Sequence, residues 1–367
     1  MRLSPPPVPY PLVHGYSTTI VQGRPKKPSR TKDVTRAFQT GAYDDDQIEA
    51  QERFGDKSKH YQHHKTIKTQ NARPDEEIDK LPRGEVIQVH SLFSEVLHED
   101  RPYRCTQRKT LAKVSDTQLV VGDFVRFDIA PELNDISTFE GVIERIEPRR
   151  TVLARSDSFK ARDVHPIVAN ADQMLIVAAL HLPEVKWGLV DRMVIAARSG
   201  GLDAIVCLNK IDTAASEKDL ADADAILVHY ESLGIRTHRT CAINKMGIDQ
   251  LQQMLKDKKT VLAGHSGVGK SSLVRAIEPT LDIRIGDISA VHSKGMHTTT
   301  SARRYALSVG GFVVDTPGVK LFGVWNVSRD SLIEHFPDVD SGTAPDWRRE
   351  SYERILESIA PPEPGAT

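Results

Sequence analysis

The spacing of hydrophobic positions changes twice along this 367-residue chain. Residues 1 to about 80 keep neither a strand period nor a helix period. They carry a Pro-rich start, the basic stretch Arg24-Pro25-Lys26-Lys27-Pro28-Ser29-Arg30 and the acidic Asp44-Asp45-Asp46. So little apolar surface does not offset the entropy of ordering, and a disordered basic arm is expected over 1–80. Between 83 and 160 the apolar runs are short, partly alternating and punctuated by glycine, at 84–89, 91–97, 120–127 and 141–146. About five such strands predict a small OB-type β-barrel. From 165 to 325 the runs become continuous, at 173–179, 204–208, 260–263 and 311–314. Uninterrupted apolar runs suit strands buried on both faces of a largely parallel sheet, with helices predicted over 190–198 and 220–233. A last helix is predicted over 347–359, within a short, mostly helical segment from 326 to 367, and it stops before Pro361-Pro362.

Composition narrows the class. Hydrophobic residues make up 39% and no apolar run reaches the ~20 residues needed to span a bilayer, so no membrane partner is expected. The start, Met1-Arg2-Leu3-Ser4-Pro5-Pro6-Pro7, lacks the apolar core of a signal peptide. Three cysteines at wide spacing, Cys105, Cys207 and Cys241, make neither a disulfide framework nor a CxxC metal pair, which points to a cytoplasmic protein. A net charge of −1 excludes a general polycation, so nucleic-acid contacts must come from local patches. Two stand out. Residues 53–68 mix cations with Phe54 and Tyr61, which suits phosphate contact plus base stacking. Arg145, Arg149, Arg150 and Arg155 cluster where the barrel ends.

The chemistry lies in the α/β part. Gly264-His265-Ser266-Gly267-Val268-Gly269-Lys270-Ser271 matches a phosphate loop at each required position, after a predicted strand and at the start of a predicted helix that opens with Ser271-Ser272. Its glycines let backbone N–H groups close around phosphates. Lys270 should contact the β- and γ-phosphates, and the Ser271 hydroxyl should hold Mg²⁺. Asp315-Thr316-Pro317-Gly318 ends another apolar strand; Asp315 is expected to reach Mg²⁺ through water and the Gly318 N–H to face the γ-phosphate. In Asn209-Lys210-Ile211-Asp212 the carboxylate can accept from both guanine N1–H and N2–H₂, a pair of donors adenine lacks. The mismatch costs ~1–3 kcal/mol, which selects GTP over ATP. Thr240-Cys241-Ala242, after one more short strand, stands where small residues back the base, so Cys241 and Ala242 join the candidate nucleotide residues. His297-Thr298-Thr299-Thr300 occupies the place of a first switch, with Thr299 the expected Mg²⁺ ligand. Many GTPases follow DxxG with a glutamine that orients the attacking water. Val319 stands there instead, so either His297 places the water or a partner supplies the group.

The motif order is unusual: the guanine-reading stretch precedes the phosphate loop. With a barrel in front, this order resembles the circularly permuted, ribosome small-subunit-dependent GTPases, the RsgA or YjeQ family, over roughly 83–330. Further matching stretches are Gly141-Val142-Ile143-Glu144 and Val168-Ala169-Asn170-Ala171-Asp172-Gln173. The resemblance implies an OB-type barrel followed by a permuted α/β P-loop GTPase domain. It also implies a monomer that binds the 30S subunit and 16S rRNA late in subunit maturation and leaves on GTP hydrolysis, with the subunit stimulating turnover. The family's zinc pattern, Cys-x4-Cys-x-His-x5-Cys, has no counterpart here: no cysteine follows residue 320, so no structural zinc is expected. Two further readings stay open, a GTP-binding RNA chaperone without turnover and a permuted GTPase acting on a non-ribosomal RNA. Since Asp315 to Gly318 now leads straight into the C-terminal segment, nucleotide state is expected to be reported towards Trp347.

Overall fold

The computed structural model describes residues 73–108, 118–129, 140–156, 164–281, 302–315 and 327–359. Most of the expected arm lies outside them. Its last residues do not behave as an arm: α1 (Asp75–Ile78) buries Ile78, and Arg73 pairs with Asp128 at 2.5 Å.

Five strands close a barrel in the order β1-β2-β3-β5-β4. They are β1 (Arg83–Val89), β2 (Ser94–His98), β3 (Arg101–Gln107), β4 (Phe124–Ile129) and β5 (Gly141–Ile146). β3 and β5 run parallel, and the other pairs are antiparallel. Alternation supplies the core: Val86, Val96, Cys105, Val125, Phe127 and Ile143 point inward. The run at 120–127 becomes a strand only from Phe124, because Val120, Gly122 and Asp123 build a turn in which the buried Asp123 accepts the Val120 N–H at 2.8 Å. An antiparallel hairpin, β6 (Val152–Ser156) and β7 (Val164–Ala169), leads out of the barrel.

The second body is a six-stranded sheet, ordered β10-β9-β8-β11-β13-β12. Its strands are β8 (Gln173–Ala179), β9 (Asp203–Asn209), β10 (Arg236–Arg239), β11 (Lys259–Ala263), β12 (Arg303–Ala306) and β13 (Phe312–Asp315). All neighbours are parallel except β12 with β13. β8 shows why the sequence reads as a continuous apolar run. Met174, Ile176 and Ala178 face one layer, with α2 (Trp187–Ser199) and α3 (Glu217–Ser232). Leu175, Val177 and Ala179 face the other, with α4 (Ile248–Leu255) and α5 (Lys270–Ile277).

The chain ends in short helices, α6 (Pro337–Asp340) and α7 (Asp346–Ser358), which pack Val327, Leu332, Phe336 and Ile355 against Ile195 of α2. Arg348, 2% exposed, pairs with Asp191 of α2 and, at 3.2 Å, with Asp338. Tyr230 of α3 donates to Asp191 at 2.6 Å, and Trp347 packs against both Trp187 and Tyr230, which also touch each other.

Candidate nucleotide site

Sheet order places the site. From β8 the chain adds β9 and β10 on one side and β11 and β13 on the other, so the β8/β11 boundary is the switch point. In open α/β sheets, ligands sit beyond the carboxyl ends of the strands at such a point. β9, β11 and β13 end there, and each ends in one of the motifs.

The phosphate loop leaves β11 and enters α5. Gly264 has φ +140°, and a Cβ there would lie 2.2 Å from the Val177 carbonyl oxygen. Gly269, at φ +95°, sits against Asn209, whose amide nitrogen would be 2.5 Å from an added Cβ. Side chains are thus excluded at the points where the loop meets β8 and the guanine-reading loop. Lys270 Nζ donates to the Gly264 and His265 carbonyls at 2.7 and 2.9 Å, so its charge lies within the loop's curve. Ser266 and Gly267 are exposed on the crest, whereas Val268 is buried beneath it. The N-terminus of α5 adds its positive dipole end to the loop, an arrangement suited to phosphate.

The loop over 209–212, expected to read guanine, is tied to this one by Asn209. Buried at the end of β9, its amide donates to the Val268 carbonyl at 3.0 Å and accepts from Thr240 Oγ1 at 3.1 Å. Cys207 Sγ lies 3.3 Å from the same hydroxyl; burial pushes this thiol up to about 12, so it stays protonated. Lys210 takes a left-handed conformation (φ 58°) and donates to the Leu182 carbonyl; burial lowers its ammonium below the ordinary value and Asp212 opposes that. Asp212 is exposed, and its Oδ1 accepts from Cys241 Sγ at 3.0 Å. Ala242 follows, half-buried.

At the end of β13, Asp315 is 4% exposed and pairs in register with Leu262 of β11; Ser271, 7% exposed, is the second residue of α5. A carboxylate and a hydroxyl are hard oxygen donors of the kind Mg²⁺ prefers, so these residues fit that ion. His297, Thr299 and Gly318 lie outside the described residues. The structure therefore brings together Asn209, Lys210, Asp212, Cys241 and Ala242 with 264–272 and Asp315. The sequence places Thr240 in the base-backing stretch without a role of its own; its bond to Asn209 Oδ1 is seen only in the fold. The Leu182-Pro183 loop, which receives Lys210 and reaches Gly267, carries no sequence signal at all.

Residues 146–325 match the family model described as RsgA GTPase. The small ribosomal subunit biogenesis GTPase RsgA 1 of Vibrio vulnificus is 35% identical over 283 residues, covering 70% of this chain and 77% of that protein. The chain belongs to the RsgA GTPase family. The Haemophilus influenzae RsgA, bearing the same subunit-biogenesis description, is 30% identical and covers 78% of this chain and 87% of its own length. Among solved structures, RsgA-like architecture recurs in YjeQ from Thermotoga maritima (TM-score 0.59, 27% identity, 76% of this chain and 98% of that one). YloQ, described as a circularly permuted GTPase, shares the fold at TM-score 0.56 and 23% identity, covering 76% of this chain and 95% of that one. A barrel ahead of an RsgA-type sheet, with the guanine-reading loop before the phosphate loop, is thus what this chain folds into.

Proposed function

We propose that the chain is a Mg²⁺-dependent GTP phosphohydrolase that binds the small ribosomal subunit late in its maturation and is released on hydrolysis. One observation carries the reading: Asn209 holds a guanine-reading loop and a phosphate loop in a single site, at 3.0 Å from the Val268 carbonyl, in a chain related to subunit-biogenesis GTPases.

In this reading Asp212 accepts from guanine N1–H and N2–H₂ while Cys241 holds its other edge, and Ala242 backs the base. Gly264, His265, Ser266, Gly267, Val268, Gly269 and Ser272 line the phosphates with backbone amides, and Lys270 leaves the loop carbonyls for the β- and γ-phosphate oxygens. Ser271, Thr299 and Asp315 would hold Mg²⁺, which neutralises charge building on the phosphates. Water attacks the γ-phosphorus, the bond to the β–γ bridging oxygen breaks, and the water's proton passes to phosphate oxygen, giving GDP and inorganic phosphate. His297 positions that water and the Gly318 N–H senses the γ-phosphate. With valine in the usual glutamine position, basal turnover is slow and the subunit raises it, by ~10³–10⁵-fold if it supplies a transition-state contact.

The barrel offers a surface for 16S rRNA. Phe93 stacks on His90 at 4.3 Å with Arg104 above it at 5.8 Å, and Arg101 lies 4.6 Å over Tyr103. Rings paired with cations suit unstacked bases and phosphates. Among the described residues no helix is long and apolar enough to cross a membrane.

The test measures GTP turnover with and without 30S subunits, for wild type and Lys270→Ala. Subunit-stimulated turnover in wild type, lost in the variant, supports the reading. Equal turnover in both proteins rejects it. Binding to 30S with no turnover selects the chaperone reading, and equal affinity for 30S and unrelated RNA the non-ribosomal one.

A further inference from the structure

The barrel and the sheet meet in a stack of alternating cations and rings. Arg83 of β1 lies 3.8 Å over the Phe124 ring, and Lys259 Nζ lies 4.7 Å from the same ring. Lys259 Nζ also lies 5.5 Å from the Phe312 ring, and Arg304 stacks on Phe312 at 3.9 Å. Glu85 of β1 pairs with Lys259 Nζ at 2.9 Å, while its other oxygen, Oε1, is buried without a hydrogen-bond partner among the described residues. Arg83, Glu85 and Phe124 belong to the barrel; Lys259, Phe312 and Arg304 open or line β11, β13 and β12.

These three strands matter because of what they join. β11 runs from Lys259 to the phosphate loop and β13 from Phe312 to Asp315, while β12 begins two residues after Thr300-Ser301. β1 packs across β12. The barrel therefore grips the starts of β11 and β13, whose other ends carry the nucleotide motifs, and the antiparallel β12 beside them. Strands are stiff, so a shift at one end moves the other.

We propose that Lys259 and Glu85 are positioning residues that couple the barrel to the nucleotide site, so that occupancy of one is felt at the other. In this proposal the unpartnered Glu85 Oε1 is the acceptor for a second pairing, with Arg304 of the neighbouring β12 as its donor. Half-buried charges with two alternative partners would make a discrete two-state element of the kind that couples distant sites. The identity of the barrel's outside partner rests on the function proposed above; the joint itself does not.

Hydrogen exchange on the full chain, loaded with GDP or a non-hydrolysable GTP analogue, tests this. In wild type, amides of β1 and β4 are expected to exchange differently in the two states. Glu85→Gln and Lys259→Met should keep GDP affinity and the exchange change at the phosphate loop, yet lose the barrel response by about fivefold or more. Lys259→Arg, which keeps the charge and the stacking, should retain it. If Lys259→Met fails to fold, Phe124→Leu replaces it, removing the ring while keeping apolar bulk. A wild-type barrel indifferent to nucleotide, or an undiminished response in Glu85→Gln, overturns the proposal. A nucleotide-responsive barrel without 30S-stimulated turnover upholds the joint and rejects the ribosomal reading instead.

Discussion

Cys241 stands beside the carboxylate proposed to read the base, and its Sγ–H donates to Asp212 Oδ1 at 3.0 Å, which orients that carboxylate. A thiol is a weak donor. Cys241→Ala is therefore expected to weaken GDP binding by ~1 kcal/mol, about fivefold in Kd, whereas Cys241→Ser binds as tightly or tighter. Titration with a fluorescent GDP analogue checks both; equal affinity for all three proteins would show that the bond does nothing. Glu278 poses a different residue-scale case. It follows α5 and accepts from the Thr280 hydroxyl and the Ser308 N–H, both at 2.6 Å, and these bonds hold its carboxyl at about 2 instead of 4.5. A depressed folded-state pKa contributes stability that is fully present above about pH 4.5 and is lost as pH falls towards 2. Glu278→Gln should thus lower stability by ~1–3 kcal/mol at pH 7, with the gap closing in acid urea titrations. Thr280 is a local partner of Glu278, but Ser308 lies thirty residues away and is not visible in the sequence.

At the scale of elements, period and punctuation were readable because each strand's burial is local. Seven consecutive apolar or buried positions in β8 announce a strand with layers on both sides. β3 was not among the runs picked out: Arg101-Pro102-Tyr103-Arg104-Cys105 has one fully buried side chain, and it is pairing with β2 and β5 that makes it a strand. The predicted final helix exists, as Asp346–Ser358, but its purpose is tertiary. Its Arg348 is inserted between two carboxylates from α2 and α6. Burial raises the Asp191 carboxyl above its ordinary value while Arg348 opposes the shift. Removing one partner of a buried pair leaves an uncompensated charge, so Arg348→Ala is expected to cost ~3–5 kcal/mol in urea unfolding. The loss should shrink on acidification, because a protonated Asp191 needs no cation. A cost under ~1 kcal/mol would mean that water already screens the cluster.

For the whole molecule, the C-terminal segment is part of the GTPase body's packing and not an appendage. Ending the chain at residue 326 would uncover Ile195, Trp187 and Tyr230 and strip Asp191 of its cation. This truncation should destabilise more than Arg348→Ala and broaden the urea transition; an unchanged midpoint would show that the segment only rests on the surface. Trp347 touches α2 and α3, whose preceding loops carry Leu182 and Lys210, so the sequence-based idea of a link from Asp315 to the tail acquires a second route through those loops. By itself the sequence determined the GTPase family, the inverted motif order and the plan of a barrel ahead of an α/β sheet. Each of these is written in short stretches whose spacing, glycine placement and apolar period act locally. Only the tertiary structure decided that Thr240 braces Asn209, that Arg348 is buried, and that cations and rings join barrel to sheet. Those contacts pair residues far apart in the chain, and which partners meet is set by strand order and burial, quantities that no local pattern encodes.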